Sequence, residues 1–167
     1  MNRLILSHII ISVMLAYSFT LASAKSPTNE ISVVDFDGIR PFLEKNNDTT
    51  YVINFWATWC SPCVKEIPHF EKINQEFSNQ KLKIILVSLD FPSQIDSRLI
   101  PFIEKRELKS QIIVLDDTNA NYWINEVSNE WTGAIPATVI YRRGKREFFE
   151  KVFSYEELKN LVLEYLN

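Results

Sequence analysis

The stretch Asn54-Phe55-Trp56-Ala57-Thr58-Trp59-Cys60-Ser61-Pro62-Cys63 decides the reading of this 167-residue chain. It carries both cysteines of the sequence. Before the pair runs an apolar segment, Tyr51 to Trp56, broken only by Asn54, which reads as a central strand covered on both faces. After it, Val64, Ile67, Phe70, Ile73, Asn74 and Phe77 recur at helical spacing, predicting a helix from Ser61 to about Phe77. A Cys-x-x-Cys pair at a strand-to-helix junction is the pattern of a redox-active dithiol. At the N-cap or first turn, Cys60 meets free N–H groups and the positive end of the helix dipole, both of which favour a thiolate. That makes Cys60 the attacking thiol and Cys63, one turn on and more buried, the resolving one. Pro62 suits a helix start, where its missing N–H has no partner to lose.

Other readings of the pair are weaker. A structural staple gains by closing a long loop, and a bridge across two residues closes almost none. A zinc site wants four ligands, and only His69 lies near. The Ser61-Pro62 spacer puts no cation beside the thiolate, which favours a reductant over a strong oxidase. No cofactor is expected beyond the Cys60–Cys63 disulfide itself.

Outward from the motif, length allows one domain, and a hydrophobic share of 46% allows it a sizeable core. The net charge of −3, with no run of like charges, argues against nucleic acid as a partner. Residues 1–24 read as a secretory signal peptide: Arg3, a mostly apolar run from Leu4 to Leu21, then the small-residue site Ala22-Ser23-Ala24. The competing reading is an uncleaved anchor, since the run nearly suffices to span a bilayer. Residues 25–30 read as a linker. On either reading the domain is exported, to the periplasm or cell envelope.

Residues 31–167 read as one layered α/β domain. Ile31 to Phe36 is a possible edge strand. Asp37 is expected to cap a helix reaching about Lys45, with Pro41 in its first turn. Pro68 is expected to kink the long helix. Leu82 to Leu89 and Gln111 to Leu115 are further strands, with a helix between Pro92 and about Arg106 and a short one from Asn119 to Glu126. Ala137 to Arg142 and Glu147 to Val152 are expected to form a hairpin about Arg143-Gly144-Lys145. Ser154 and Glu157 form the capping box of a final helix. The cysteine pair then lies at the carboxyl end of a central strand, where open α/β sheets place their sites.

The run NFWATWCSPCVKEIP resembles the active-site segment of the TlpA/ResA-like branch of the thioredoxin superfamily, and WTGAIPATVIYRRGK resembles that family's second landmark. The order, spacing and strand context agree over roughly Ile31 to Asn167. The resemblance implies a thioredoxin-like fold, a central mixed sheet flanked by helices with a C-terminal hairpin and helix. It implies that Pro136 is a cis-proline facing the disulfide and that the backbone of Ile135 is offered to an extended substrate segment. Trp59, beside the motif, joins Ile135 and Pro136 as a candidate substrate-contacting residue. Glu66 matches the acidic residue of Cys-x-x-Cys-x-x-Glu-x-Pro; buried, with a raised pKa, it would take the proton of Cys63. One departure stands out: thioredoxin itself carries a buried Asp where this chain has Asn54, and an amide relays no proton, so that task falls to Glu66. Lys65 is expected to face solvent.

The function expected is that of an exported thiol-disulfide oxidoreductase that reduces disulfides of other exported proteins. The resemblance implies a membrane thiol reductase as electron donor. Net oxidation or isomerisation is the alternative of the same chemistry, and a non-catalytic binding module the alternative of another class. The Pro-x-x-x-Thr-x-x-Cys pattern of a thiol peroxidase is absent, as is the additional His of a copper chaperone. Substrate identity and oligomeric state are not encoded in any motif.

Overall fold

A computed structural model describes residues 31–167. The signal peptide and linker expected over residues 1–30 lie outside the described residues. No helix among the described residues is long and apolar enough to cross a membrane.

Six strands form one mixed sheet in the order β1-β4-β3-β2-β5-β6. They are β1 Ser32–Val34, β2 Thr50–Trp56, β3 Leu82–Ser88, β4 Gln111–Leu115, β5 Ala137–Arg142 and β6 Lys145–Phe149. The first four run parallel, and β5 joins β2 antiparallel, pairing Asn54 with Thr138. β2 is buried at every position, as its unbroken apolar run requires of a strand covered on both faces. Its alternate residues feed two cores. Val52 and Trp56 face α2 (Ser61–Glu76) and α5 (Tyr155–Leu166), while Ile53 and Phe55 face α1 (Phe36–Leu43) and α4 (Ala120–Val127). Asn54 shares the face of Val52 and Trp56, so its amide points toward α2.

Several expected boundaries move, each for a local reason. Asp35, not Asp37, caps α1: its carboxylate accepts the Gly38 N–H at 3.2 Å, and Phe36 already belongs to the helix with its ring buried. Asp37 instead occupies the first turn and pairs with Arg40. The helix stops at Leu43, and Pro41 lies beyond the first turn. The segment from Pro92 to Arg106 is not one helix. A 3-10 turn, Pro92–Gln94, and a wider π turn, Ile95–Leu99, precede α3 (Ile100–Arg106). The Ile100 N–H reaches back five residues to the Ile95 carbonyl, and Pro101, next in line, has no N–H to continue a regular ladder. In the hairpin Arg142 pairs with Lys145, leaving a two-residue turn. Arg143 and Gly144 both take positive φ, 49° and 84°, so Lys145 belongs to the strand. The returning strand ends at Phe149, short of Val152. Ser154 and Glu157 form the expected capping box at the start of α5.

Candidate active site

The site is built where β2 ends and α2 begins. The chain leaves the sheet at Trp56, turns through Ala57-Thr58-Trp59, and enters α2 at Cys60, the N-cap residue. The Cys60 N–H donates to the Ala57 carbonyl at 3.1 Å, closing the turn. Cys60 Sγ accepts the Cys63 N–H at 3.3 Å, so the sulfur takes the place of a capping oxygen. A thiolate in that position gains both this donor and the helix dipole. Ser61 and Pro62 are exposed in the first turn, so Pro62 forfeits no helical hydrogen bond. Cys60 and Cys63 form a disulfide with their Cα atoms 5.3 Å apart. Cys60 is 6% exposed and Cys63 not at all, so Cys60 is the cysteine with an edge toward solvent.

Beside the dithiol, from the neighbouring strand, comes the loop before β5. The Ile135–Pro136 peptide is cis. The Ile135 carbonyl oxygen lies 3.6 Å from Cys60 Sγ. Two contacts pin this loop: the Trp131 indole N–H donates to the Ala134 carbonyl at 2.8 Å, and the Thr132 N–H donates to Glu150 at 2.8 Å. Trp59 stands beside the cysteines half in solvent, while Ile135 is partly exposed and Pro136 buried.

Behind the dithiol lies Glu66, one turn beyond Cys63 on the inner face of α2 and fully buried. Its carboxylate accepts the Asn54 amide at 2.9 Å and the Phe153 N–H at 2.8 Å. Burial pushes its pKa up to about 7; the two hydrogen bonds oppose the rise without cancelling it. Asn54 also donates to Thr138 Oγ1 at 3.0 Å, which joins β2, β5 and α2 in one buried polar chain. Asn54 Oδ1 has no partner among the described residues. His69, the next inward-leaning polar residue of α2, bonds the Phe153 carbonyl through Nδ1 at 3.0 Å and so faces α5 and not the sulfurs. Lys65 is exposed.

The structure thus brings Cys60 and Cys63 against the Ile135–Pro136 peptide, with Trp59 in the loop before Cys60 and Glu66 one turn past Cys63 on the same helix. A group that sequence reasoning did not single out closes the site on the β3 side. Asp90, 1% exposed, accepts hydrogen bonds from the Thr58 N–H, the Thr58 hydroxyl and Ser88. The only trace of it in the sequence is an acidic residue ending the apolar run Leu82 to Leu89, with nothing to link it to Thr58.

The fold and the dithiol at its central strand end define the class: a thioredoxin-fold protein with a Cys-x-x-Cys pair. Within that class the chain belongs to the AhpC/TSA family, whose model matches residues 18–145. Among curated proteins it is similar to the thiol-disulfide oxidoreductase ResA of Halalkalibacterium halodurans, 30% identical over 113 residues, covering 63% of this chain and 62% of that one. It is also similar to the thioredoxin-like protein YneN of Bacillus subtilis, 28% identical over 94 residues, covering 56% and 55%. The chain spans roughly half to three fifths of the length of the curated relatives it matches. Among solved structures, a thioredoxin-related protein from Neisseria meningitidis serogroup B superposes with a TM-score of 0.61 at 22% identity, over 71% of this chain and 86% of that one. StoA of Bacillus subtilis superposes at 0.54 and 21%, over 70% and 84%.

Proposed function

We propose that this protein is an exported thiol-disulfide oxidoreductase that works as a reductant of disulfides in other exported proteins. The observation that carries the reading is the Cys60–Cys63 disulfide at the start of α2, with Cys60 facing the Ile135 carbonyl across a cis-proline loop. The similarity to proteins named thiol-disulfide oxidoreductase supports it. A macromolecular substrate suits the placement. Two open grooves, of about 450 and 770 Å³, lie along α2, β3 and β4, and neither includes Cys60. The reacting sulfur instead lies at an edge, between Trp59 and Ile135, where an extended chain can align against the backbone.

In the reduced protein the Cys60 thiolate attacks one sulfur of the substrate disulfide. A mixed disulfide forms, the substrate S–S bond breaks, and the departing sulfur takes a proton. Cys63 then gives its proton to Glu66, whose pKa of about 7 suits it to hold one near neutral pH. The Cys63 thiolate attacks Cys60 Sγ, the internal disulfide forms, and the second substrate sulfur leaves as a thiol. Two electrons have passed to the substrate. A membrane thiol reductase resupplies them, since an exported dithiol has no cytoplasmic donor at hand. No cofactor beyond the dithiol takes part.

The test is reduction of a protein disulfide by the pre-reduced protein, followed by thiol release. Turnover in the unaltered protein, none in Cys60→Ser, and a stable mixed disulfide with Cys63→Ser are expected. Trapping through Cys60→Ser instead would reverse the two roles, and activity independent of Cys60 would leave only a binding module.

A further inference from the structure

Two buried carboxylates are tied to the segments that carry the dithiol, Glu66 on α2 and Asp90 through the loop before Cys60, and only Glu66 has been given a task. The other, Asp90, follows β3 and meets the loop that presents Cys60. It accepts the Thr58 N–H through both oxygens, at 3.0 and 3.2 Å, and the Thr58 hydroxyl as well. Ser88 Oγ donates to it at 2.8 Å and accepts the Asp90 N–H at 3.0 Å. Next to it the Leu89 N–H donates to the Trp56 carbonyl at 2.8 Å, so the end of β3 is fastened to the loop at two points. Thr58 precedes Cys60 by two residues.

Every partner of Asp90 is a neutral donor. Among the described residues no Lys, Arg or His forms an ion pair with it. A neutral acceptor would fasten the loop mechanically, whereas a buried unpaired carboxylate costs more to place there. The charge therefore invites a second role. Lys65 on α2 is exposed, Lys151 lies over the Phe153 ring before α5, and the β5 side presents the uncharged Ile135 carbonyl to Cys60.

We propose that Asp90 is a positioning residue for Cys60. Through Thr58 it fixes the loop that presents the attacking sulfur, and its buried negative charge disfavours the Cys60 thiolate and so makes the couple more reducing above the Cys60 pKa. The proposal rests on the reading of Cys60–Cys63 as a redox-active dithiol and addresses its direction. Reducing the disulfide takes up two electrons. It takes two protons where both sulfurs end as thiols, and one where Cys60 ends as a thiolate. A charge that penalises the thiolate therefore penalises the reduced form only above the Cys60 pKa, and leaves the couple unchanged below it.

That pH signature separates charge from mechanical support. The reduction potential of the full chain is measured against a glutathione buffer from about pH 5 to about pH 10, bracketing the ordinary thiol pKa of about 8.5. Asp90→Asn and, as a second neutral variant, Asp90→Ser are expected to match the unaltered protein at the acid end. At the alkaline end they should become less negative, by about tenfold in the equilibrium constant or about 30 mV. Their Cys60 thiolate titration should move to lower pH. Thr58→Val keeps the charge and the N–H tie, so its curve should stay at or below that of the unaltered protein. An equal displacement at every pH, or none, overturns the proposal. If the variants behave as expected but the unaltered protein fails to reduce a protein disulfide, the functional reading falls while the role of Asp90 stands.

Discussion

Glu66 has no exposed surface and is held by two neutral donors, Asn54 and the Phe153 N–H, which satisfy its oxygens without neutralising it. Its pKa stands near 7 because burial outweighs both hydrogen bonds, against an ordinary 4.5. The consequence for stability has a definite sign. Between those two values the folded state holds a proton that the unfolded chain releases. Stability is therefore fully present below about pH 4.5 and declines as pH rises through about 7. The loss at alkaline pH is about 3 kcal/mol at most. Glu66→Gln removes the titration, so its denaturation midpoint in the oxidised protein should be flat from pH 5 to 8 where that of the unaltered protein falls. Equal slopes in the two proteins would show that another group titrates there. The same variant should slow release of the mixed disulfide, since Cys63 loses its proton acceptor, while leaving the first attack by Cys60 nearly intact. Quenched-flow separation of the two steps checks this.

At the scale of elements, the site depends on ends of strands and helices meeting, and the ends are where composition is least informative. The helix after the cysteines is legible because its apolar spacing is strong, yet its inner face includes Cys63 and Glu66, which a hydrophobic pattern passes over. The sequence points to Asp37 as the cap of α1, but Asp35 reaches Gly38 and claims the position. A close approach explains that helix further. A Cβ on Gly38 would lie 2.6 Å from Val34 Cβ, so α1 packs on β1 only with glycine there. Gly38→Ala should cost about 1–3 kcal/mol in chemical denaturation through forced separation of the two elements. The capping box of α5 adds a second case. The Ser154 hydroxyl accepts the Glu157 N–H, and Glu157 accepts the Ser154 N–H at 2.9 Å. Ser154→Ala should cost about 1 kcal/mol. Because Phe153, the residue before the cap, donates to Glu66, that variant should also change the pH at which the stability of the unaltered protein declines; an unmoved profile would mean that the α5 start does not set the Glu66 environment.

Across the whole molecule, the layered α/β order and the place of the cysteine pair were legible, because β2 and α2 carry their periods without interruption. What stayed illegible is what arrives from distant parts of the chain. Asp90 lies 32 residues from Thr58, and Phe153 lies 87 from Glu66; neither partnership leaves a mark in local spacing. The segment between β3 and α3 misled for a different reason, since apolar spacing there persists through turns of three kinds while Pro101 interrupts the ladder. Residues far apart in the chain thus supply the buried carboxylates and the groups that hold them. The uncharged Ser61-Pro62 spacer puts no cation beside the Cys60 thiolate, which opposes an oxidising couple. The most direct measurement is the reduction potential of the Cys60–Cys63 pair at neutral pH, by equilibration with a thiol buffer of known potential. The account predicts a value nearer the about −270 mV of a reductant such as thioredoxin than the about −120 mV of a strong oxidase. A value at the oxidase end would contradict it.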